Sequence, residues 1–89
     1  MQAIYKFPFA LSDKTVITMP RSAQILCVQV QAGLPCIWAL IREIDGPTID
    51  RTYTTYGTGH QHEAITGRYV GTYQLDGGAL VFHVFENPA

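Results

Sequence analysis

The fold is decided by residues 68–85, RYVGTYQLDGGALVFHVF. Branched and aromatic residues, which favour β-strands, lie on both sides of the turn sequence Asp76-Gly77-Gly78. This pattern predicts a β-hairpin formed by strands Arg68–Leu75 and Ala79–Phe85. The second strand is apolar at nearly every position, so it has to be covered on both faces.

Five more strands are predicted upstream of this hairpin, because short β-branched and aromatic runs recur between turn residues. They are Ile4–Phe7, Thr15–Met19, Ile25–Gln31, Cys36–Arg42 and Arg51–Tyr56. About seven short strands separated by regular turns indicate an all-β fold, a single small antiparallel sandwich or barrel-like domain spanning residues 1–89. Two of the strands, Cys36–Arg42 and Ala79–Phe85, are apolar on both faces, so a second covering layer is required from this chain or from another subunit.

The composition favours a homo-oligomer. Hydrophobic residues make up 47% of the chain and charged residues only 15%, whereas about 25% charged residues is typical of globular domains. A chain this short has little interior in which to hide apolar surface. Exposed apolar patches usually mark interaction sites. We therefore expect a symmetric dimer or another small closed assembly.

The charge pattern argues against nucleic acid and membrane as partners. The net charge is −1 and the six basic residues are scattered along the chain, whereas phosphate backbones require a clustered basic surface. No apolar run approaches the roughly 20 residues needed to span a bilayer, and the N-terminus lacks the layout of a signal peptide. We expect a cytoplasmic protein in which Cys27 and Cys36 are free thiols.

The candidate ligand-binding site begins in YTTYGTGHQH, residues 53–62. Glycines allow a ligand to approach the backbone closely, and tyrosines stack on planar rings while offering a hydroxyl group. The candidate residues are Tyr53, Tyr56, Gly57, Thr58, Gly59 and His60. The alternative interpretation is that the glycines only shape a turn and the tyrosines only pack across strands.

A second group of candidates flanks that segment. Arg51 precedes it and Arg68 follows it, so the two guanidinium groups could approach the same end of the sheet and bind an anion. Strict alternation along the strand would place Tyr69 and Tyr73 on one face, with a slot between them at Gly71. That slot could receive a ligand ring or a neighbouring side chain, and a solvated surface position is the alternative for Arg68.

Catalysis and metal binding are weakly supported. His60, His62 and His83 could in principle form a three-histidine zinc site. However, no carboxylate or cysteine stands at a recognised ligand spacing, and His83 lies within an apolar strand. No third member completes a nucleophile–base arrangement. We therefore favour a binding protein over an enzyme and predict no metal and no cofactor.

Three stretches carry a resemblance to a known family: GLPCIWALI (33–41), YGTGH (56–60) and GRYVGTYQLDGGALVFHVFE (67–86). Together they resemble a small phage- and prophage-associated β-rich domain family of unknown function. The resemblance implies a phage or prophage context, hence the host cytoplasm as location, and it implies no assigned activity or catalytic residue.

Two functional hypotheses follow from these observations. In the first, a homo-oligomer sequesters a small anionic, nucleotide-derived immune signalling molecule at a subunit interface. The arginines would hold phosphate, the tyrosines would stack on the base, and the 57–60 segment would donate hydrogen bonds. In the second, the chain is a protein-interaction module that docks on a host or phage protein through exposed apolar or glutamine-bearing strand faces, without a small ligand.

Overall fold

The computed structural model describes residues 1–88. Seven strands and one short 3-10 helix, Asp76–Gly78, make up its regular structure. The strands are β1 (Ala3–Pro8), β2 (Lys14–Pro20), β3 (Gln24–Gln31), β4 (Leu34–Ile41), β5 (Thr48–Gly57), β6 (Arg68–Leu75) and β7 (Leu80–Glu86). Within residues 1–88, no helix is long and apolar enough to cross a membrane.

The strands form two antiparallel sheets. One sheet has three strands in the order β1-β4-β3, and the other has four in the order β2-β5-β7-β6. The all-β prediction is confirmed. The two strands that are apolar on both faces, β4 and β7, are interior strands of different sheets. Each sheet therefore covers the inner face of the other, and the outer faces of both strands point away from the core. The β1 strand, which ends at Pro8, lies at a sheet edge where a residue without an N–H is tolerated.

The core lies between the sheets. From the three-stranded sheet, β4 contributes alternate residues, and Ile37 and Ile41 are fully buried. Tyr53, Tyr73 and Val84 enter from the four-stranded sheet and are at most 3% exposed. Each such aliphatic side chain contributes about 1.5–3 kcal/mol through its removal from water.

The two sheets come closest where β3 lies against β6. A methyl group added to Gly71 would lie 2.8 Å from Cγ1 of Val28 and 3.4 Å from its backbone nitrogen. Glycine is therefore required for this close approach. The slot predicted at Gly71 is filled by Val28, so it cannot accept a ligand ring.

A β-bulge in β6 changes which side chains share a face. The pairing of β6 with β7 shifts register between Tyr69 and Gly71, which makes Val70 an extra residue. As a result Tyr69 points outward and is 57% exposed, whereas Tyr73 points into the core and is 3% exposed. The prediction that these two tyrosines share a face is wrong, because strict alternation does not continue through a bulge.

Candidate ligand-binding site

The candidate residues of β5 are divided between the two faces of its sheet. Tyr53 is 1% exposed and lies in the core. Tyr56 is three residues further along and pairs with His83 on the opposite, outer face. Successive side chains of a strand alternate in direction, so an odd separation places two residues on opposite faces. The segment that appeared as one site in the sequence therefore contributes to two regions.

The outer region is an open groove of about 330 Å³ on the outer face of the four-stranded sheet. We call it the outer groove. Six of its lining residues were predicted from the sequence and four were not. The predicted residues are Tyr56, Gly57, Thr58, Gly59, His60 and Tyr69, and the added ones are Ile65, Thr72, His83 and Phe85.

Aromatic rings form one side of the outer groove. Phe85 lies between two tyrosines, with ring centroids 5.7 Å from Tyr56 and 5.4 Å from Tyr69. His62 stands edge-on to Tyr56 at 4.8 Å. These separations lie in the range in which aromatic pairs attract one another. Together they form an aromatic surface against which a planar ring can pack.

A chain of hydrogen bonds crosses the groove and is centred on His83. The Nε2 atom of His83 is 2.7 Å from the Thr58 hydroxyl, and its Nδ1 atom is 2.9 Å from the Thr72 hydroxyl. The Thr72 hydroxyl is in turn 2.6 Å from the hydroxyl of Tyr69. The sequence offered His83 only as a candidate zinc ligand. The strand register brings His83 into this site by placing it opposite Tyr56 and Thr72, and no local sequence pattern marks that register.

The glycine segment forms a tight turn at one end of the groove. The His60 N–H donates to the Gly57 carbonyl, and Gly59 between them has a φ of +85°. A φ of this sign at the third residue of a turn favours glycine. The His60 imidazole packs against the α-carbon of Gly57, where an added methyl group would meet the ring at 2.8 Å. Both glycines therefore have structural roles, and the turn also places Thr58 beside His83.

Arg51 lies on the inner face, away from the outer groove. Its guanidinium group donates two hydrogen bonds to the Glu86 carboxylate, at 2.6 and 2.9 Å, and a third to the Ala23 carbonyl at 2.7 Å. The hydrogen bonds to Glu86 raise the pKa of Arg51 above its ordinary value, although burial acts in the opposite direction. This arginine is occupied by contacts within the protein.

Arg68 stands at the start of β6, opposite Glu86. The two arginines do approach the same end of the sheet, because Arg51 also contacts Glu86. That end is not the one at which the 57–60 turn lies, since Gly57 pairs with Phe82 four residues away along β7. The structure thus does not bring the two arginines and the glycine turn into one phosphate-binding cluster.

The two remaining candidates, Tyr53 and Tyr73, are core residues. The pKa of Tyr53 is raised to about 12, mainly because the side chain is buried. The Tyr53 hydroxyl contacts the Met19 sulfur at 3.6 Å. Burial also raises the pKa of Tyr73, and the nearby Thr55 hydroxyl opposes that shift. Neither ring is accessible to a ligand in this structure.

The chemistry of the outer groove is that of an uncharged recognition site. Its ten lining residues include no lysine, arginine, aspartate or glutamate. Across residues 1–88, no group of three histidine, cysteine or acidic side chains is arranged to hold a metal ion. The groove offers ring contacts and hydroxyl and imidazole hydrogen bonds, which suit a planar, polar and neutral group.

No curated protein and no solved structure matches this chain at a significant level. The match that was found extends over residues 1–89 and is to a family described as Domain of unknown function (DUF7352). The expected resemblance to a family of unknown function is confirmed, while the phage association stays a prediction. The chain belongs to the DUF7352 family.

Proposed function

We propose that this protein binds a small nucleotide-derived molecule and holds its base in the outer groove. The observation that carries the proposal is the aromatic surface of Tyr56, Phe85 and Tyr69 beside a hydroxyl–imidazole chain. Nucleobases are planar rings with polar edges, so they match both parts of this site. Stacking of a base on an aromatic side chain contributes about 1–3 kcal/mol.

The role of charge differs from the one expected from the sequence. Because no lysine or arginine lines the groove, the base and the sugar would supply most of the contacts. A phosphate group would extend out of the groove toward the start of β6. Arg68 is exposed there and forms no ion pair within residues 1–88. Arg68 lies opposite Glu86 and outside the groove lining, so in this proposal it attracts the anionic part of the ligand at longer range from the sheet edge, while Arg51 remains bound to Glu86.

A second copy of the chain would complete the site. Small-molecule sites usually bury about 70–90% of the ligand surface, and an open groove on one subunit cannot do so. Large side chains remain exposed on the same outer face, among them Val16 at 61% and Tyr69 at 57%. We therefore place the ligand at a homo-oligomer interface over this face, where a phage protein could sequester an immune signal.

The experiment is native mass spectrometry of protein purified from infected or defence-activated cells. It is followed by thermal-shift titration with nucleosides, nucleotides and cyclic dinucleotides. We expect a retained small molecule on an oligomer, and stabilisation by at least one probe. Tyr69→Ala should abolish binding, while Tyr5→Ala on β1 of the other sheet serves as the matched control. A bare protein that no probe stabilises would contradict the proposal.

The second hypothesis, docking on a host or phage protein, is favoured by a different surface. On the three-stranded sheet Ile4 is 62% exposed, and the neighbouring Trp38 ring lies 6.0 Å from the Lys6 ammonium group. Lys6 also donates to Gln31, which makes the exposed Gln29 the better residue to test. Under this hypothesis Gln29→Ala and Ile4→Ser should weaken capture of a partner protein, and Tyr69→Ala should not.

A further inference from the structure

The hydrogen-bond chain in the outer groove has a direction, and that direction is set at Val81. The Val81 carbonyl oxygen accepts a hydrogen bond from the Thr58 backbone N–H at 3.1 Å. The same oxygen has a second lone pair and lies 3.3 Å from the Thr58 hydroxyl, and a carbonyl oxygen can only accept. When Thr58 donates its single hydrogen to Val81, its oxygen has to accept from Nε2–H of His83. The proton of the neutral imidazole is then on Nε2, and Nδ1 is an acceptor.

The rest of the chain follows from this assignment. Nδ1 of His83 accepts from the Thr72 hydroxyl, and the Thr72 oxygen accepts from the Tyr69 hydroxyl. In this direction every close contact from Tyr69 to Val81 is a hydrogen bond. In the reverse direction Thr58 would donate to His83, and its contact with the Val81 carbonyl would lack a hydrogen. The direction that starts at Tyr69 therefore makes one more hydrogen bond and is favoured.

The consequence appears at Tyr69, the end of the chain that reaches solvent. Its hydroxyl hydrogen is used within the protein, so the oxygen presents only lone pairs to the groove. The side chain is 57% exposed and lines the groove, so a ligand can reach this oxygen. A group that meets it has to bring a hydrogen-bond donor.

We infer that the outer groove selects heteroaromatic rings that carry an amino group, and that Tyr69 accepts a hydrogen bond from that amine. The inference rests on the proposed function and specifies its ligand class. Adenine, guanine and cytosine have such a group. Hypoxanthine and uracil lack it and keep only a ring N–H, and unsubstituted purine has no donor on its six-membered ring. The same acceptor disfavours a phosphate at this position, because two acceptors would face each other without a hydrogen between them.

The test compares matched pairs of nucleosides by calorimetry or thermal shift. The pairs are adenosine with purine riboside, in which the donor is lost altogether, and guanosine with inosine and cytidine with uridine, in which a ring N–H remains. In the adenosine pair we expect the member without the amino group to bind about five- to tenfold more weakly. Tyr69→Phe keeps the ring and removes the acceptor, so it should make the two members bind equally. Tyr5→Phe is the control and should leave the preference unchanged.

The outcomes separate this inference from the proposed function. Equal binding within every pair to the unmodified protein would overturn the inference and leave the proposed function standing. Tighter binding of the members without the amino group would show the reverse direction and also overturn it. If no nucleoside binds, the proposed function fails and the inference falls with it. An independent check without ligand is ¹⁵N NMR of His83, in which a proton on Nδ1 instead of Nε2 would contradict the assignment.

Discussion

The two ends of β5 look alike in sequence and differ in structure. At one end Arg51 is held by Glu86 and Ala23, with both charged side chains at most 15% exposed. At the other end Tyr56 lies on the outer face among rings and hydroxyl groups that remain accessible. The first end is a closed, charged and internally satisfied region, and the second is open and uncharged.

The direction in which each side chain of β5 points determines whether it contributes to stability or to the binding surface. Arg51 and Tyr56 lie five positions apart, an odd spacing, so they point to opposite faces of one strand. Substitutions at distant sites without shared partners have nearly additive effects. We therefore expect the Arg51 end to determine stability and the Tyr56 end to determine ligand affinity, each with little effect on the other.

The largest effect on stability is expected for Arg51→Ala. The substitution leaves the largely buried Glu86 carboxylate without its partner, and we expect a loss of about 3 kcal/mol in the free energy of unfolding. Arg68→Ala is the matched control and should change that free energy by less than about 0.5 kcal/mol, since surface substitutions rarely cost more. Urea denaturation measures both. A loss of the same size in the two variants would show that the contacts of Arg51 with Glu86 and Ala23 stabilise the fold no more than a surface arginine does.

A second prediction uses the raised pKa of Tyr53, next to Arg51. The pKa is 10.0 in the reference state and about 12 in the folded protein. The unfolded chain therefore releases this proton at a lower pH than the folded chain. The stabilisation is complete below pH 10 and is lost as the pH rises to about 12, a loss of about 2–3 kcal/mol. We measure the free energy of unfolding by urea denaturation at a series of pH values across this range. It should fall less with rising pH for Tyr53→Phe than for Tyr69→Phe.

The smallest effect is expected at the open end, with Thr58→Val. The change removes the hydroxyl between His83 and Val81, and we expect a loss of about 1 kcal/mol or less in the free energy of unfolding. Affinity for the best nucleoside probe should fall severalfold, because His83 loses the group that fixes its proton. Thr52→Val, on the same face of β5, is the control for the loss of a hydroxyl. Equal effects of the two variants on affinity would show that the Thr58 hydroxyl has no specific role in binding.

Much of the fold was accessible from the sequence. The turn at Asp76–Gly78 and the doubly apolar strands predicted the β6–β7 hairpin and a second layer, and both are present, although that layer covers only the inner face of each sheet. The proline that ends β1, Pro8, also fits the position of this strand at a sheet edge. These features depend on local residue types and on period-two patterns, which a sequence displays directly.

The site was accessible only in part, for two physical reasons. The bulge at Val70 shifts the alternation and turns Tyr69 outward, and nothing in the local sequence marks that extra residue. His83 became a site residue because the strand register places it opposite Tyr56 and Thr72. Register depends on long-range pairing, which residue types within one segment do not specify.

The strand order also has a consequence for the speed of folding. The four-stranded sheet joins β2 to β5, and the three-stranded sheet joins β1 to β4, so neither sheet is complete until distant segments meet. Among the strand pairs of residues 1–88, only β3–β4 and β6–β7 are hairpins of neighbouring strands. Closing long loops before their contacts form is entropically unfavourable, and folding of such β-proteins takes milliseconds to seconds. During synthesis β1 and β2 emerge well before their partners, which makes them the segments most exposed to intermolecular pairing.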